Sequence, residues 1–406
     1  MRNFDFRKYG DNLLFALAMA VLITALLYSF IRRDRESQPT VTSVVFTHWW
    51  HEDIDEDVLR NIIAEFENSH EGIRIILKEK SYESLHFDLF DFAEEDETQA
   101  PASPGDVIAL DPLWVPGLLN RGVIESAEVP ILSFINVLYY NIEILREAGF
   151  TRPPNTRNEF LTFARAVAAN RENRMAYALG LGLGGSRGVH NNVYPWIWAA
   201  GARLINNGNP VVTSAPVVQS LTFLASLTSE GLIAPGAFYA DSRKKLEDFV
   251  SGRTAFMIAP TRHIGFVREQ MGDAAFNITS VPLLDNQTGT PFFSPLGWTL
   301  GIHSASAHME EARLFSAFLA GRASYLSNSA SGTIPASSPQ DPFYSNIWEI
   351  ALAGETALDF SGLAAEPVLE EIFREELSAL FAGTASPAET AAAIQQRWLA
   401  VLREDF

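Results

Sequence analysis

The sequence predicts an α/β protein of two lobes carried behind a single apolar N-terminal helix. Three observations predict it. A chain of 406 residues is too long for one ordinary core. Strand-like and helix-like segments alternate along most of its length, with no dominant run of either, which argues for open α/β sheets. Residues 13–31 are almost continuously apolar.

That first run, from Leu13 to Ile31, reads LLFALAMAVLITALLYSFI and has Thr24 and Ser29 as its only polar members. At the helical rise it spans roughly 28 Å, about the hydrocarbon thickness of a bilayer. A cleaved signal peptide has a shorter apolar region followed by small residues, whereas this run ends in YSFIRRDRE, so it reads as an uncleaved membrane anchor. Were it cleaved, the protein would be secreted. A buried core helix fits poorly, because no polar face is present. Arg2, Arg7 and Lys8 precede the run while Arg32, Arg33 and Arg35 follow it, so counting positive charges does not orient it.

After a polar linker over 32–41, the segment VVFTHWW (44–50) has the β-branched and aromatic content of a strand entering a core. Val58, Leu59, Ile62, Ile63 and Phe66 then recur with helical spacing, and GIRIILKEK reads as the next strand, which makes a β-α-β unit and hence a parallel pair. The acidic, Pro-containing stretch 92–106 reads as a solvated loop. DVIALD is a buried strand ending in Asp111. NEFLTFARAVAAN (158–170) is a helix with Asn155 or Thr156 as its N-cap. Helical spacing returns at Val217, Val218, Leu221, Leu224 and Leu227. TAFMIA and GWTLGIH read as strands, and two amphipathic helices close the chain.

Composition excludes several classes. With 47% hydrophobic and 19% charged residues, the chain can bury real cores. The net charge is −19, and beyond residue 36 there are 24 Lys and Arg against 45 Asp and Glu, so nucleic acid is not an expected partner. With no cysteine there can be no disulfide, thiolate metal site, cysteine nucleophile or lipid-bearing Cys. Walker, nucleophile-elbow, kinase and H-E-x-x-H motifs are absent, no enzyme activity is expected and no cofactor is implied. GLGLGGSRG (180–188) lacks the dinucleotide-binding spacing and reads as a flexible loop. His48, His51, Glu52 and Asp53 do not by themselves make the three or four converging ligands of a metal site, so no metal is expected.

The more informative pattern is tryptophan at predicted strand ends and in loops: Trp49, Trp50, Trp114, Trp196, Trp198 and Trp298, six of eight in the chain. An indole offers a broad apolar face and one N–H donor, which suits the C–H face of a sugar ring, although any one of them could equally be core filler. Asp111 could accept two ligand hydroxyl protons or cap the following helix. Arg262 and His263 follow a buried strand, where a charge needs a ligand or an internal carboxylate as partner.

The order of these segments resembles the extracellular solute-binding proteins of carbohydrate ABC transporters, the group that includes maltose-binding protein. GDVIALD is similar to its PDV strand, and LYYNIEILREAGFTRPPNTRNEF (138–160) is the most specific match. FVSGRTAFMIAP, SPLGWTLGIHSASAHMEEARLFSAFLAG and GTIPASS follow in the family's order, so that the likeness covers roughly 42–405. The chain departs from the pattern in lacking the lipoprotein Cys, in having Pro260, Thr261 and Arg262 where the family has G-P-W, and in having Leu296 as the first member of G-G-W. Arg262 there would suit a carboxylate or phosphate on the ligand.

The resemblance implies a two-lobe, hinge-linked, periplasmic-binding-protein-like fold of type II, with one lobe from 42–134 plus 295–336 and the other from 135–294 plus 337–406. Crossings are expected near Ser133 to Asn136, Pro291 to Ser294 and Ser337. It implies capture of a sugar or oligosaccharide between the lobes and delivery to ABC permease subunits by a monomeric soluble domain. That domain would lie outside the cytoplasmic membrane, anchored by a single pass. Carried over position by position, and joined by Trp114 and Arg262 from the residues themselves, the ligand contacts are Trp49, Trp50, Asp111, Trp114, Trp196, Trp198, Arg262, Gly297 and Trp298. Two other readings stay open: a membrane-tethered sugar sensor or scaffold of the same fold without transport, and a hydrolase using the cleft as its active site.

Overall fold

The computed structural model describes residues 19–25, 41–52, 54, 56–90, 104–127, 131–170, 176–287, 290–293, 296–329, 332–334, 341–357, 359–360 and 363–404. Of the predicted anchor only 19–25 fall in this set, where they are helical, and the rest of 13–31 lies outside it. Among the described residues no helix is long and apolar enough to cross a membrane. Asp53, the loop as far as residue 103, Ser294 and the crossing near Ser337 also lie outside the described residues.

The first sheet grows from the β-α-β unit. β1 (Thr42–His48) pairs in parallel with β2 (Ile73–Glu79), and the helix Glu56–Ser69 between them buries Leu59, Ile62, Ile63 and Phe66. β3 (Val107–Leu110) joins β1 on its other side, also in parallel, and is buried along its whole length. Asp106 fixes this junction, accepting from Val45 N at 2.8 Å and from the Ser306 hydroxyl at 2.6 Å. β13 (Leu296–His303) then inserts antiparallel beside β3, and β4 (Ile124–Ala127) and β5 (Leu132–Phe134) pair with its far edge.

The second sheet has the order β11 (Phe276–Thr279), β6 (Asn136–Asn141), β10 (Thr254–Pro260) and β7 (Tyr177–Gly180). β6 is antiparallel to both neighbours, and β10 is parallel to β7. β5 belongs to the first sheet and β6, one residue beyond it, to the second, so Ile135 is a crossing point between lobes. Two short pairs complete the strands: β8 (Ile205–Asn206) with β9 (Asn209–Pro210), and β12 (Phe292–Phe293) with β14 (Glu355–Thr356).

The helix after the Pro-Pro-Asn-Thr turn spans Arg157–Ala169, and Thr156 caps it by accepting from Glu159 N at 3.3 Å. At the C-terminus the helices Glu366–Phe381 and Pro387–Glu404 pack together, and the buried indole of Trp398 donates to Leu369 O at 2.8 Å. One expectation is corrected. The glycine run at 180–188 is not a flexible loop but a packed segment, because a Cβ on Gly182 would stand 2.6 Å from Asp241 O and one on Gly188 would stand 2.8 Å from Leu183 backbone atoms. The glycines there serve close backbone approach.

Each lobe closes on its own apolar core. In the first, Trp50 stacks on Trp298 with centroids 4.7 Å apart and planes 9° from parallel, and Phe46 meets Trp50 edge-on at 5.5 Å. The pair joins the loop after β1 to β13, which are remote in sequence. Trp50→Ala is expected to cost about 3–5 kcal/mol of unfolding free energy in a urea titration, and an unchanged midpoint would contradict this role.

Candidate functional site

Parallel strands of an open sheet place their carboxyl ends, and the loops that follow them, along one edge. Here β1 and β3 end at such an edge, and Trp49 and Asp111 are the residues that follow them. Tyr82, at the start of the helix Tyr82–Phe90, packs edge-on to Trp49 at 5.3 Å, and Trp114 closes the aromatic wall, 5.3 Å from Trp49 and 4.6 Å from Tyr82. β13 contributes Gly297 and Trp298. A Cβ at Gly297 would lie 2.5 Å from Leu132 O, so glycine is what allows β13 to pair closely with β5 there.

The second lobe faces this wall with Ser186, Arg187, Asn191, Pro260 and Arg262, and the two surfaces enclose a cleft of about 50 Å³. Small-molecule sites usually measure roughly 300 Å³ or more. In this conformation the cleft is smaller than a small-molecule site needs.

Asp111 does not cap the following helix Val115–Asn120, whose N-cap is Trp114 without a side-chain hydrogen bond, and its carboxylate is held by nearby groups. Its Oδ1 accepts from Leu113 N at 3.0 Å and its Oδ2 from the Tyr82 hydroxyl at 3.1 Å, while Arg187 Nη1 stands 3.7 Å from Oδ1 across the cleft. Arg187 has left-handed backbone (φ 68°, ψ 17°) just before the short helix Gly188–Asn192. Burial opposes its charge, but Asp111, Tyr82, Glu366 and Glu370 outweigh that cost, and the guanidinium stays protonated.

Behind Arg187 lies a chamber of about 150 Å³, lined among others by His86, Trp114, Glu366, Glu370 and Arg374. Glu370 Oε1 accepts from Val189 N at 2.8 Å and His190 N at 3.1 Å. Burial raises the pKa of Glu366, and burial together with the neighbouring Glu366 raises that of Glu370, both above the usual carboxylate range. His190 Nδ1 approaches Glu366 Oε1 to 3.7 Å, yet this is not an ion pair, because burial first and Arg187 second keep the imidazole neutral.

Of the residues singled out in the sequence, Trp49, Asp111, Arg262, Gly297 and Trp298 line the cleft, and Trp114 lines the chamber behind it. Trp50 lies behind Trp298 in the first core. Trp196 and Trp198, expected among the ligand contacts, instead pack in the core of the second lobe, because every residue of their helix Tyr194–Ala199 is buried. Trp196 packs against Phe160 and Phe223, and Trp198 donates to Asp359 at 2.8 Å. Trp198 also borders a larger cavity of about 380 Å³ with Val281, Leu283, Phe292 and Ile350. That cavity brings in no group from the strand ends of the first sheet, so the interlobe cleft is the better candidate. The sequence did not reveal Tyr82, Arg187, Glu366 or Glu370. The Ser-Arg interruption of the glycine run was the local signal for Arg187, whereas the two glutamates look like ordinary helix residues. Among the described residues no three His, Cys, Asp or Glu side chains converge as a metal requires.

The raised Glu370 pKa fixes a sign. Above its ordinary 4.5 the unfolded chain releases a proton that the folded carboxyl retains, so this group's contribution to stability falls as pH rises from there. Glu370→Gln does not titrate. The melting temperature of this variant relative to wild type is expected to rise between about pH 5 and about pH 8, and a difference independent of pH would refute the raised pKa.

Comparison with known proteins agrees with this architecture. The profile of the bacterial extracellular solute-binding protein family matches residues 55–325. A probable ABC transporter-binding protein of Deinococcus radiodurans is 24% identical over 253 residues, 55% of this chain and 60% of that protein. A putative binding protein of Brucella abortus is 23% identical over 159 residues, 38% of this chain and 37% of that protein. The chain thus spans less than two thirds of the length of these relatives. Among solved structures, the GacH receptor of Streptomyces glaucescens, known unliganded and in complex with acarbose, superposes with a TM-score of 0.71 at 16% identity, over 89% of this chain and 99% of that one. Maltose-bound MalE3 of T. maritima gives 0.69 at 15% identity, over 89% and 100%. A Thermotoga lettingae solute-binding protein bound with alpha-D-tagatose gives 0.72 at 15% identity, again over 89% and 100%. With a family profile covering most of the two lobes and the same two-lobe fold in these structures, the chain belongs to the bacterial extracellular solute-binding proteins.

Proposed function

We propose that this protein captures a sugar or oligosaccharide in the cleft between its lobes and delivers it to the permease of an ABC transporter. The observation that carries the reading is the convergence on one cleft of the indoles Trp49 and Trp298 and the acceptor Asp111 from the first lobe with Arg262 from the second. Apolar ring faces beside a few polar groups are what a pyranose requires, with C–H surface stacked on the indoles and hydroxyls held at the edges. The acarbose, maltose and tagatose complexes of proteins with the same fold support the ligand class. As a member of a binding-protein family, the chain is not assigned a reaction.

We also infer that residues 13–31 hold the protein to the cytoplasmic membrane by one pass with the lobes outside, that the soluble part is monomeric, and that the lobes comprise 42–134 plus 295–336 and 135–294 plus 337–406. The apolar length of the run supports the anchor. The two sheets, one built from β1 to β5 with β13 and the other from β6, β7, β10 and β11, support the division.

Thermal unfolding of the full chain in detergent, against a panel of neutral sugars and polyols, tests the reading. A ligand at about a hundred times its Kd stabilises the folded state by about 2.7 kcal/mol, and the resulting rise in melting temperature is expected to vanish in Trp298→Ala. A panel that leaves the melting temperature of folded protein unmoved would sink the proposal.

A further inference from the structure

The cavity beside Trp198 is lined, among the described residues, by the second lobe alone, and its volume of about 380 Å³ lies within the range of small-molecule sites. Its walls are Ile278 near the end of β11, Val281 and Leu283 beyond it, Phe292 and Phe293 of β12, and Ile350 of the helix Pro342–Ala353. Leu283, Phe292, Phe293 and Ile350 are only half-buried, so the cavity opens onto apolar surface that no described residue fully covers.

The polar groups of this cavity are of one kind. Asn346, Glu349, Ile350 and Ala353 follow the helical spacing i, i+3, i+4 and i+7 and share one face of Pro342–Ala353. Glu349 is exposed, makes no ion pair with a described residue and is the one charged side chain among the described lining residues. Asn346 gives its amide nitrogen to Asn277 Oδ1 at 3.2 Å and to Ile278 O at 3.5 Å, and its oxygen accepts from no described residue. Two acceptors one helical turn apart thus stand at one side of an apolar chamber. Arg203 lies over the Phe292 ring, 4.9 Å from its centroid, without entering the lining.

This arrangement restricts the ligand. A carboxylate or phosphate meets no cationic side chain among the lining residues and is repelled by Glu349. A polyol would set most of its hydroxyls against apolar walls, where they find no partners. An ammonium group carries donors only and matches two acceptors, and an apolar or aromatic body behind it gains by burial against the phenylalanines.

We propose that this cavity is a second binding site, for an organic amine whose ammonium group sits at Asn346 and Glu349 and whose apolar or aromatic body lies against Val281, Phe292 and Phe293. The site does not depend on sugar capture, because none of Trp49, Asp111, Arg262 and Trp298 lines it.

Calorimetric titration of the full chain, in a detergent without a sugar headgroup, tests this with tryptamine, 3-methylindole and indole-3-propionate, which share a ring and differ in charge. Tryptamine is expected to bind roughly threefold or more tighter than 3-methylindole, the scale of one exposed ion pair, and indole-3-propionate is expected to bind most weakly. Glu349→Gln is expected to remove most of the advantage of tryptamine and to leave 3-methylindole unchanged. Ala353→Trp, which sets a ring at the mouth of the cavity, is expected to abolish binding of both, and Phe292→Ala, which removes part of the wall, serves if the first variant does not fold. Absence of binding by both tryptamine and 3-methylindole would overturn the site, as would unchanged affinity in the folded wall variant. Indole-3-propionate binding more tightly than tryptamine, or tryptamine binding equally well to Glu349→Gln, would overturn the amine assignment. Each of these results leaves sugar capture in the cleft standing.

Discussion

The structure depends on the return of β13 to the first sheet. The chain leaves the first lobe after β5, builds the second sheet, and comes back as Leu296–His303 to lie antiparallel between β3 on one edge and β4 with β5 on the other. That insertion closes the first core, because Trp298 then stacks on Trp50. It also sets Gly297 and Trp298 at the cleft, beside the loops after β1 and β3. The close approach of Gly297 to Leu132 O is the local price of this pairing.

The cleft is chemically asymmetric. The first lobe presents mainly aromatic surface, with Trp49, Tyr82, Trp114 and Trp298 packed against one another or against core residues, so their positions are held by apolar packing. The second lobe presents polar and charged groups, among them Arg187, Asn191 and Arg262, on or next to the glycine-rich segment and the end of β10. A packed apolar platform on one side thus faces hydrogen-bonding groups on the other.

Behind that surface, burial governs charge. Glu366 and Glu370 sit where desolvation raises their pKa values, His190 is held neutral, and Arg187 keeps its proton because Asp111 and these glutamates surround it. Glu370 is tied to the amides of Val189 and His190, which anchors the segment carrying Arg187 to the C-terminal helix Glu366–Phe381. The position of the arginine is thus set by a helix nearly two hundred residues further along the chain, as the separation of 181 between Val189 and Glu370 records.

By itself the sequence determined what depends on local pattern. The β-α-β start, the Thr156-capped helix, the buried strand DVIALD with Asp111 after it and the closing helices all follow from periodicity and turn chemistry. The order of segments carried the two-lobe architecture and four of the residues that meet in the cleft, Trp49, Asp111, Gly297 and Trp298, while Arg262 came from its place after a buried strand. Tertiary structure alone decided which tryptophans face the cleft and which fill the cores, since Trp196 and Trp198 have the same local signature as Trp49 but lie in a helix buried on every side. It alone brought Arg187, Asp111 and Glu366 together, three residues from separate segments whose spacing in the chain carries no period. The reason is physical: helix and strand periodicities report which face of an element is apolar, whereas a site at the junction of two lobes is made by elements that touch only after the chain has crossed between them.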